Sequence, residues 1–148
     1  MDLQHTNTPK LKDQLCFPLY ACSRELIKNY KPLLDQLDLT YTQYITMMVL
    51  WEHQNLTVKE LGAELYLDSG TLTPLLKKLE EKGFVNRKRS ALDERNLIVS
   101  LTPAGQKMQK EAASIPAEVT KNLNLTKEEA DTLYHLLYKL LGRNESVD

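Results

Sequence analysis

Cysteine is scarce in this 148-residue sequence, in which only Cys16 and Cys22 occur. Two thiols in a cytosolic chain are a poor basis for a disulfide framework, so we interpret them as reactive or simply buried thiols. Long apolar runs are also missing, because the longest apolar-rich stretch, YITMMVLW at 44–51, is far shorter than the ~18 residues that span a bilayer. The first 15 residues lack the apolar block of a signal peptide. We therefore expect a soluble, cytoplasmic protein.

A strong net charge is absent as well. The formal charge is −1 at pH 7, which by itself argues against a nucleic-acid binder. The positive charge is nevertheless concentrated, because seven cationic side chains outnumber four acidic ones between residues 77 and 95. That stretch carries +3 and the remainder of the chain −4. One face of the protein is therefore suited to a phosphate backbone.

Helix start signals recur along the chain and predict a mainly α-helical fold. Thr40, Thr57 and Thr126 are each followed three residues later by Gln or Glu, which is the spacing of a capping box. Thr102-Pro103 marks a fourth start, because a proline at the first helical position gives up only an N–H that has no helical partner. The predicted helices span about 14–30, 32–38, 41–53, 57–65, 70–82, 103–122 and 126–141. Pro18 either lies in the first turn of the first helix or kinks it.

One stretch departs from the helical pattern. FVNRKRS at 84–90 and NLIVSL at 96–101 alternate polar and apolar residues with a period of two. The segment between them supplies a turn, so a β-hairpin is predicted. Residues 57–101 thus follow the order helix, turn, helix, hairpin. The second of these helices opens with small hydroxyl side chains and continues with lysines, which suits a helix that enters the major groove of DNA.

The stretch LYLDSGTLTPLLKKLEEKGFVNRKRSALDERNLIVSLTPAG resembles the winged helix-turn-helix of the MarR family of bacterial transcription regulators. The resemblance implies a homodimer that binds pseudo-palindromic double-stranded DNA, with a recognition helix in the major groove and a wing arginine in the minor groove. It implies one MarR-like domain over 1–148, in which about 41–101 bind DNA and about 11–38 and 103–148 supply dimerisation helices. Carried over by position, the DNA-binding residues are Ser69, Thr71, Thr73 and Lys77 on the helix and Arg87, Asp93 and Arg95 on the wing. Asp93 is expected to orient Arg95 through a charge-assisted hydrogen bond.

The two cysteines cannot form a disulfide with each other within one helix. In a helix over 14–30 they lie about 9 Å apart along the axis and about 120° apart around it, beyond the ~7 Å Cα separation that a disulfide allows. Their spacing is not that of a zinc site and the histidines are scattered, so we expect no metal and no cofactor. Cys16 lies at the predicted N-terminal turn, where the helix dipole favours a thiolate, the form that reacts with peroxide.

A closer resemblance concerns this thiol. QLCFPLYACSR, with NYKPLLDQLDLTYTQY, is similar to the organic hydroperoxide resistance branch of the MarR family. In that branch an N-terminal cysteine is oxidised to a sulfenic acid and the repressor leaves its operator. The sensing cysteine matches Cys16, and the two tyrosines that hydrogen-bond it across the dimer match Tyr20 and Tyr30. No cysteine follows Cys22, so the chain resembles the one-cysteine type, in which a small cellular thiol caps the sulfenate. Cys22 matches no sensing position and is assigned a packing role.

The sequence therefore predicts a repressor that senses organic hydroperoxides through Cys16, and not an enzyme. An alternative is a MarR-type regulator controlled by a small aromatic ligand, since seven tyrosines make an aromatic pocket possible. A thiol peroxidase with Cys16 as nucleophile fits less well, because no strand–turn–helix thiol motif surrounds the cysteine.

Overall fold

A computed structural model of the protein describes residues 8–142 and contains two compact units, one ending at Pro116 and the other beginning at Ala117. The helices are α1 (Cys16–Asp35), α2 (Tyr41–His53), α3 (Val58–Leu65), α4 (Ser69–Glu81), α5 (Pro103–Ala112), α6 (Ile115–Thr120) and α7 (Lys127–Leu140). The strands are β1 (Asn55–Thr57), β2 (Val85–Arg89) and β3 (Leu97–Leu101). The predicted mainly helical fold with a hairpin wing is confirmed. That residues 1–148 form one domain stays a prediction, and residues 1–7 and 143–148 lie outside the described part.

The helix starts follow the local signals. At Thr40, Thr57 and Thr126 the hydroxyl accepts the backbone N–H three residues on, while the Gln or Glu at that position accepts the N–H of the threonine. At α5 the Thr102 hydroxyl accepts the backbone N–H of Gly105, and Pro103 follows Thr102 at the first helical position. These four predicted starts are confirmed. Since each uses only neighbouring residues, none depends on the tertiary fold.

Two helix predictions are corrected at prolines. The segments predicted at 14–30 and 32–38 form one helix, α1, which continues through Pro32 and buries Leu34 near its end. Pro18 lies in its first turn, where no backbone hydrogen bond is lost. The helix predicted at 103–122 is two helices, because α5 ends at Ala112 and α6 begins at Ile115. Pro116 explains the break, since its ring conflicts with the carbonyl four residues earlier.

The sheet is antiparallel and has the strand order β1-β3-β2. The predicted hairpin is confirmed with slightly shorter strands, and Arg87 pairs with Val99 across it. β1 was not predicted from the sequence; it places Leu56 opposite Val99 on the other side of β3. Gly83, at a φ of 80° that side chains other than glycine rarely adopt, turns the chain from α4 into the wing. β2 is thus an edge strand that directly follows α4.

The core of the first unit joins α2, α3, α4 and the sheet. The fully buried apolar side chains of these elements are Met47, Leu50, Leu61, Leu72, Leu76, Leu79, Val85 and Val99. α4 contributes a leucine at every position of its inner face, so its outer face is held at a fixed orientation. Trp51, on α2, is half-buried and donates its Nε1–H to the carbonyl oxygen of Gly105 at 2.9 Å, which ties α2 to α5.

Gly105 is the closest backbone approach in this core. A Cβ built there would lie 2.1 Å from the carbonyl oxygen of Phe84, so the backbone at the start of the wing or the start of α5 would have to move. We expect Gly105→Ala to lower the free energy of unfolding by about 1–3 kcal/mol. Urea denaturation followed by circular dichroism measures this, and Ala104→Gly on the same helix is the control for altered helix propensity. Unchanged stability of Gly105→Ala would contradict the close approach.

Candidate nucleic-acid interface and thiol site

α3 and α4 form a helix-turn-helix whose turn is fixed by local bonds. α3 ends at Leu65 and is capped by Tyr66, which has a left-handed φ of 55°, and α4 begins after Asp68. The Asp68 carboxylate accepts the backbone N–H of Thr71 at 2.7 Å, and this bond lowers the pKa of Asp68. The predicted helix over 70–82 therefore starts at Ser69, and the hydroxyl side chains lie in its first turns.

The four residues predicted for the recognition helix are all exposed. Ser69, Thr73 and Lys77 recur every four residues and share one side of α4, and the Thr73 hydroxyl donates to the carbonyl oxygen of Ser69 at 2.7 Å. Thr71 lies about 160° around the helix from Thr73 and faces the other border of the exposed surface. The exposed surface therefore carries Ser69, Thr73 and Lys77 as one row and Thr71 apart from it.

The tip of the wing holds an arginine in a fixed orientation. Arg95 donates from Nε and Nη2 to the two carboxylate oxygens of Asp93, each at 2.9 Å, and its backbone N–H donates to Oδ1 of the same residue. These bonds lower the pKa of Asp93. The Arg95 side chain is nevertheless 90% exposed. The charge-assisted hydrogen bond expected from the resemblance is thus present in a bidentate form, and it orients a guanidinium that remains open to solvent.

A groove of about 520 Å³ lies between the helix-turn-helix and the wing. Ser69, Thr73, Arg87 and Arg95 line it, together with the cationic side chain of Lys59 on α3. Four of the seven predicted DNA-binding residues therefore surround one concave surface, whereas Thr71, Lys77 and Asp93 do not line it.

Arg87 differs from the other wing cations because it is engaged inside the protein. Its Nη2 donates to Oε1 of Glu80 at 3.2 Å, and its backbone N–H donates to Oε2 of the same carboxylate at 2.9 Å. The contact with Arg87 lowers the pKa of Glu80. No signal in the sequence predicted this pair. Glu80 was only one of the four acidic residues that partly offset the positive charge of residues 77–95.

A second ion pair holds the other side of α4. Lys82, just after α4, donates to the backbone carbonyl of Asp38 and lies 3.2 Å from its carboxylate. Asp38 has a left-handed φ of 52° in the turn between α1 and α2. The end of α4 is therefore attached to the wing through Glu80 and to the α1–α2 turn through Lys82.

The thiol region lies on α1. Cys16 is the first residue of α1 and so lies in the N-terminal turn, where it was predicted. Cys16 and Cys22 are both free and exposed, so the packing role predicted for Cys22 is not seen within one chain. The Tyr20 hydroxyl accepts from Arg24 at 3.3 Å, and the Arg24 guanidinium lies 5.5 Å from the centre of the Tyr20 ring. Within residues 8–142 of one chain, no hydrogen bond joins Tyr20 or Tyr30 to Cys16.

Tyr30 belongs to an aromatic cluster with α2. Its ring centre lies 5.0 Å from that of Tyr41 and 5.8 Å from that of Tyr44. Burial raises the pKa of Tyr30, and it raises that of Tyr44 to about 12. Tyr30 is 14 residues beyond Cys16 on the same helix, about 21 Å along its axis. It cannot reach the Cys16 sulfur of its own chain.

Two features are absent from the residues that the structure describes, a metal-binding cluster and a membrane-spanning helix. Between residues 8 and 142 no three His, Cys, Asp or Glu side chains come together as a metal site requires. Over the same residues, no helix combines the length and the apolar character needed to cross a bilayer.

Comparison with known proteins gives consistent matches. The family model described as transcriptional regulator SarA/Rot matches residues 28–112. The chain is 52% identical over 135 residues to the organic hydroperoxide resistance transcriptional regulator of Bacillus subtilis, which covers 89% of this chain and 90% of that protein.

Solved structures of related regulators superpose on most of the chain. Reduced AbfR bound to DNA has a TM-score of 0.74 at 36% identity, covering 89% of this chain and 91% of that one. Disulfide-formed AbfR, a protein of Staphylococcus epidermidis, has a TM-score of 0.62 at 40% identity over 86% and 92%. A mutant MarR from E. coli complexed with operator DNA has a TM-score of 0.74 at 30% identity over 86% and 93%.

Proposed function

Because the chain belongs to the SarA/Rot transcriptional regulators and is a MarR-type winged-helix regulator, we propose that it is a homodimeric DNA-binding repressor. It senses organic hydroperoxides by oxidation of Cys16 and then releases its operator. The observation that carries the DNA-binding role is the shared groove, in which the exposed hydroxyl row of α4 meets the oriented Arg95 of the wing. The relatives named as a hydroperoxide resistance regulator and as disulfide-formed AbfR support the redox role.

In this proposal α4 enters the major groove of a pseudo-palindromic operator. Ser69, Thr71 and Thr73 approach base edges or phosphates without bulk, and Lys77 follows them toward the backbone. Arg95 enters the adjacent minor groove, where a narrow groove strengthens the negative potential. Asp93 orients Arg95 rather than contacting DNA itself. Arg87 was predicted to contact DNA too, but its guanidinium is already held by Glu80.

Removal of the Arg95 side chain tests the wing contact. We expect Arg95→Ala to lower operator affinity about 10- to 100-fold, because a side chain inserted in a groove typically contributes about 1–3 kcal/mol. An electrophoretic mobility shift assay at fixed salt measures the change. Lys31→Ala is the matched control, since it also removes one exposed cation but lies on α1 and pairs with Asp35. Equal affinities for the two variants would contradict the wing contact.

The dimer is proposed from the terminal helices. α7 has no buried residue among those described, although one side of it carries Leu133, Leu136, Leu137 and Leu140, followed by the exposed Leu141. α1 buries only Leu34 and leaves Phe17, Leu26 and Ile27 exposed, as is Leu15 just before it. Two helices that each expose a row of large apolar side chains to solvent are unusual for a protein of this size. A second copy of the chain covers these surfaces, and a two-fold axis then relates two recognition helices to two half-sites.

The sensing chemistry begins at the exposed Cys16 sulfur. The thiolate attacks the terminal oxygen of an organic hydroperoxide, the O–O bond breaks and an S–O bond forms. Sulfur loses two electrons, and the peroxide is reduced to an alcohol. A small cellular thiol then condenses with the sulfenic acid, so that an S–S bond forms and water leaves. Cys22 cannot resolve the sulfenate of its own chain, since it is six residues along the same helix.

The two tyrosines are proposed as hydrogen-bond donors to the sulfur in the dimer. Tyr20 lies one helical turn beyond Cys16 on the same side of α1. Tyr30 is about 21 Å away along its own helix, so only the Tyr30 of a partner subunit could reach this Cys16. The Tyr30 contact is therefore present only when the dimer is assembled.

The proposed function is tested by a mobility shift assay with a duplex carrying the protein's own promoter. Wild-type protein should retard the duplex, and cumene hydroperoxide with a small thiol should release it. Mass spectrometry of the same sample should give the mass of a mixed disulfide at Cys16. Absence of retardation at low salt contradicts the DNA-binding role, whereas retardation that persists after Cys16 is oxidised contradicts the sensing role.

A second candidate function has one structural observation in its favour. A groove of about 300 Å³ is lined by Tyr44, Met48 and Trp51 of α2 and by Ala112 and Pro116. Its aromatic and apolar walls suit a small aromatic ligand, as a MarR-type regulator without thiol sensing would require. Ligand-induced release that persists after alkylation of Cys16 would favour this candidate over the first.

A further inference from the structure

The contact between Glu80 and Arg87 joins the recognition helix to the wing at a specific place. Glu80 lies in the last turn of α4, and Arg87 is the middle residue of β2. β2 is the edge of the sheet, and the Arg87 N–H points away from β3 toward the Glu80 carboxylate. One carboxylate thus takes both an edge N–H of the strand and the side chain of the same residue.

We infer that Glu80 and Arg87 are a positioning pair that sets the angle between the recognition helix and the wing. This inference rests on the proposed DNA-binding function, and it changes the role predicted for Arg87. Arg87 acts through Glu80 on the placement of Arg95, and it does not itself contact DNA.

The burial of Arg87 supports this role. Its side chain is 20% exposed, whereas that of Arg95 is 90% exposed. Within the described residues its Nε is buried and has no hydrogen-bond partner. The Glu80 carboxylate holds this guanidinium where it is largely shielded from water. A cation that attracts phosphates would instead be exposed and unpaired. The charge of Arg87 is also largely offset by Glu80.

The position of the pair along the hairpin explains why the angle matters. The register of the hairpin, extended beyond its last pair to the wing tip, places Arg95 opposite Ala91. Ala91 is four residues beyond Arg87, or about 13 Å at ~3.3 Å per residue. A tilt of about 10° at Arg87 moves the tip by about 2 Å, which exceeds the range over which a hydrogen bond keeps its strength. Losing the pair would therefore misplace Arg95 while α4 remains fixed by its buried leucines.

The test uses a substitution for which long-range electrostatics and loss of the positioning pair predict opposite changes in DNA affinity. Glu80→Gln removes a negative charge next to the DNA-binding surface, so long-range electrostatics alone would strengthen DNA binding. If the pair positions the wing, Glu80→Gln instead weakens operator binding about 5- to 20-fold, because a charge-assisted contact is lost. Glu81→Gln is the matched control, since the neighbouring Glu81 is exposed. It should bind operator as well as wild type or slightly more tightly.

A second variant separates positioning from phosphate contact. Arg87→Lys keeps the charge but loses the planar geometry that fits the carboxylate. We expect it to weaken binding as Glu80→Gln does, with an unchanged slope of log affinity against log salt. We also expect Arg95→Ala to cost less affinity in the Glu80→Gln background than in wild type, because Arg95 is already misplaced there. If Glu80→Gln only lowered the fraction of folded protein, Arg95→Ala would cost the same affinity in both backgrounds.

The outcomes distinguish the inference from the proposed function. If wild-type protein binds no duplex at low salt, the DNA-binding function fails. If wild type binds but Glu80→Gln binds as tightly or more tightly, the positioning pair fails and the function stands. The same conclusion follows if Arg87→Lys retains full affinity while Arg87→Gln lowers the salt slope by about one phosphate, since Arg87 would then be a direct contact. Thermal unfolding of each variant confirms that folded proteins are compared.

Discussion

Serine at position 16 is expected to leave operator affinity within about twofold of wild type and to abolish release by cumene hydroperoxide. The substitution exchanges a sulfur for an oxygen at the exposed first residue of α1, so little packing is lost. A hydroxyl does not form a sulfenic acid under mild peroxide treatment. Mobility shift titrations of wild type and Cys16→Ser, with and without peroxide and a small thiol, measure both quantities.

The size of the wild-type response indicates which oxidised form drives release. To lower operator occupancy from 99% to 1% requires a change in affinity of about 10⁴, or ~5.5 kcal/mol. A lost hydrogen bond from a tyrosine is worth only ~0.5–1.5 kcal/mol. We therefore expect the sulfenic acid alone to release little DNA and the mixed disulfide with a small thiol to release most of it. Peroxide treatment with and without the thiol separates the two.

Cys22→Ser is the matched control for this experiment. It changes the same atom at a position that is also exposed on α1, about 120° around the helix from Cys16. It should respond to peroxide as wild type does. A Cys16→Ser variant that still releases DNA would show that the sensor lies elsewhere, and a Cys22→Ser variant that does not respond would place Cys22 in the sensing chemistry.

Glutamate in place of Leu136 is expected to convert the dimer to monomers and to lower operator affinity by at least about 100-fold. Leu136 is 54% exposed in the single chain and lies in the middle of the leucine row of α7. Burying an unpaired carboxylate at a subunit interface costs more than a marginal interface can supply. A monomer then holds only one half-site and loses the gain in affinity from linking two.

Sedimentation velocity measures the oligomeric state, and the shift assay measures the affinity. His135→Glu is the control, because it introduces the same carboxylate next to Leu136 on the side of α7 away from the leucine row. The control should remain dimeric. If Leu136→Glu is dimeric as well, α7 does not form the interface.

The features that sequence could predict are those whose signals are local. Capping at Thr40, Thr57, Thr102 and Thr126 involves residues three apart, and the hairpin follows from alternation within short runs. Their positions were correct to within one or two residues. The position of Cys16 in the first turn of a helix was predictable for the same reason. The Asp93–Arg95 contact was expected only from the resemblance to the MarR family.

The features that were missed depend on residues brought together by folding. β1 is a three-residue strand whose pairing of Leu56 with Val99 joins distant parts of the chain. Glu80 reaches Arg87 only because Gly83 turns β2 back along α4. The continuation of α1 through Pro32 follows from the burial of Leu34, which outweighs a lost backbone bond. None of these leaves a recognisable spacing in the sequence.

The hydrogen bond from the indole of Trp51 to the Gly105 carbonyl gives the protein an internal optical reporter. Trp51 is the single tryptophan of the chain, so its fluorescence comes from one position at the contact between α2 and α5. The neighbouring Tyr44 ring lies 6.3 Å away and can transfer excitation to it. A shift of α5 against α2 would change both the emission maximum and the quenching. If oxidation of Cys16 shifts α5 against α2, the shift can be timed in a stopped-flow instrument without attaching a dye to either cysteine.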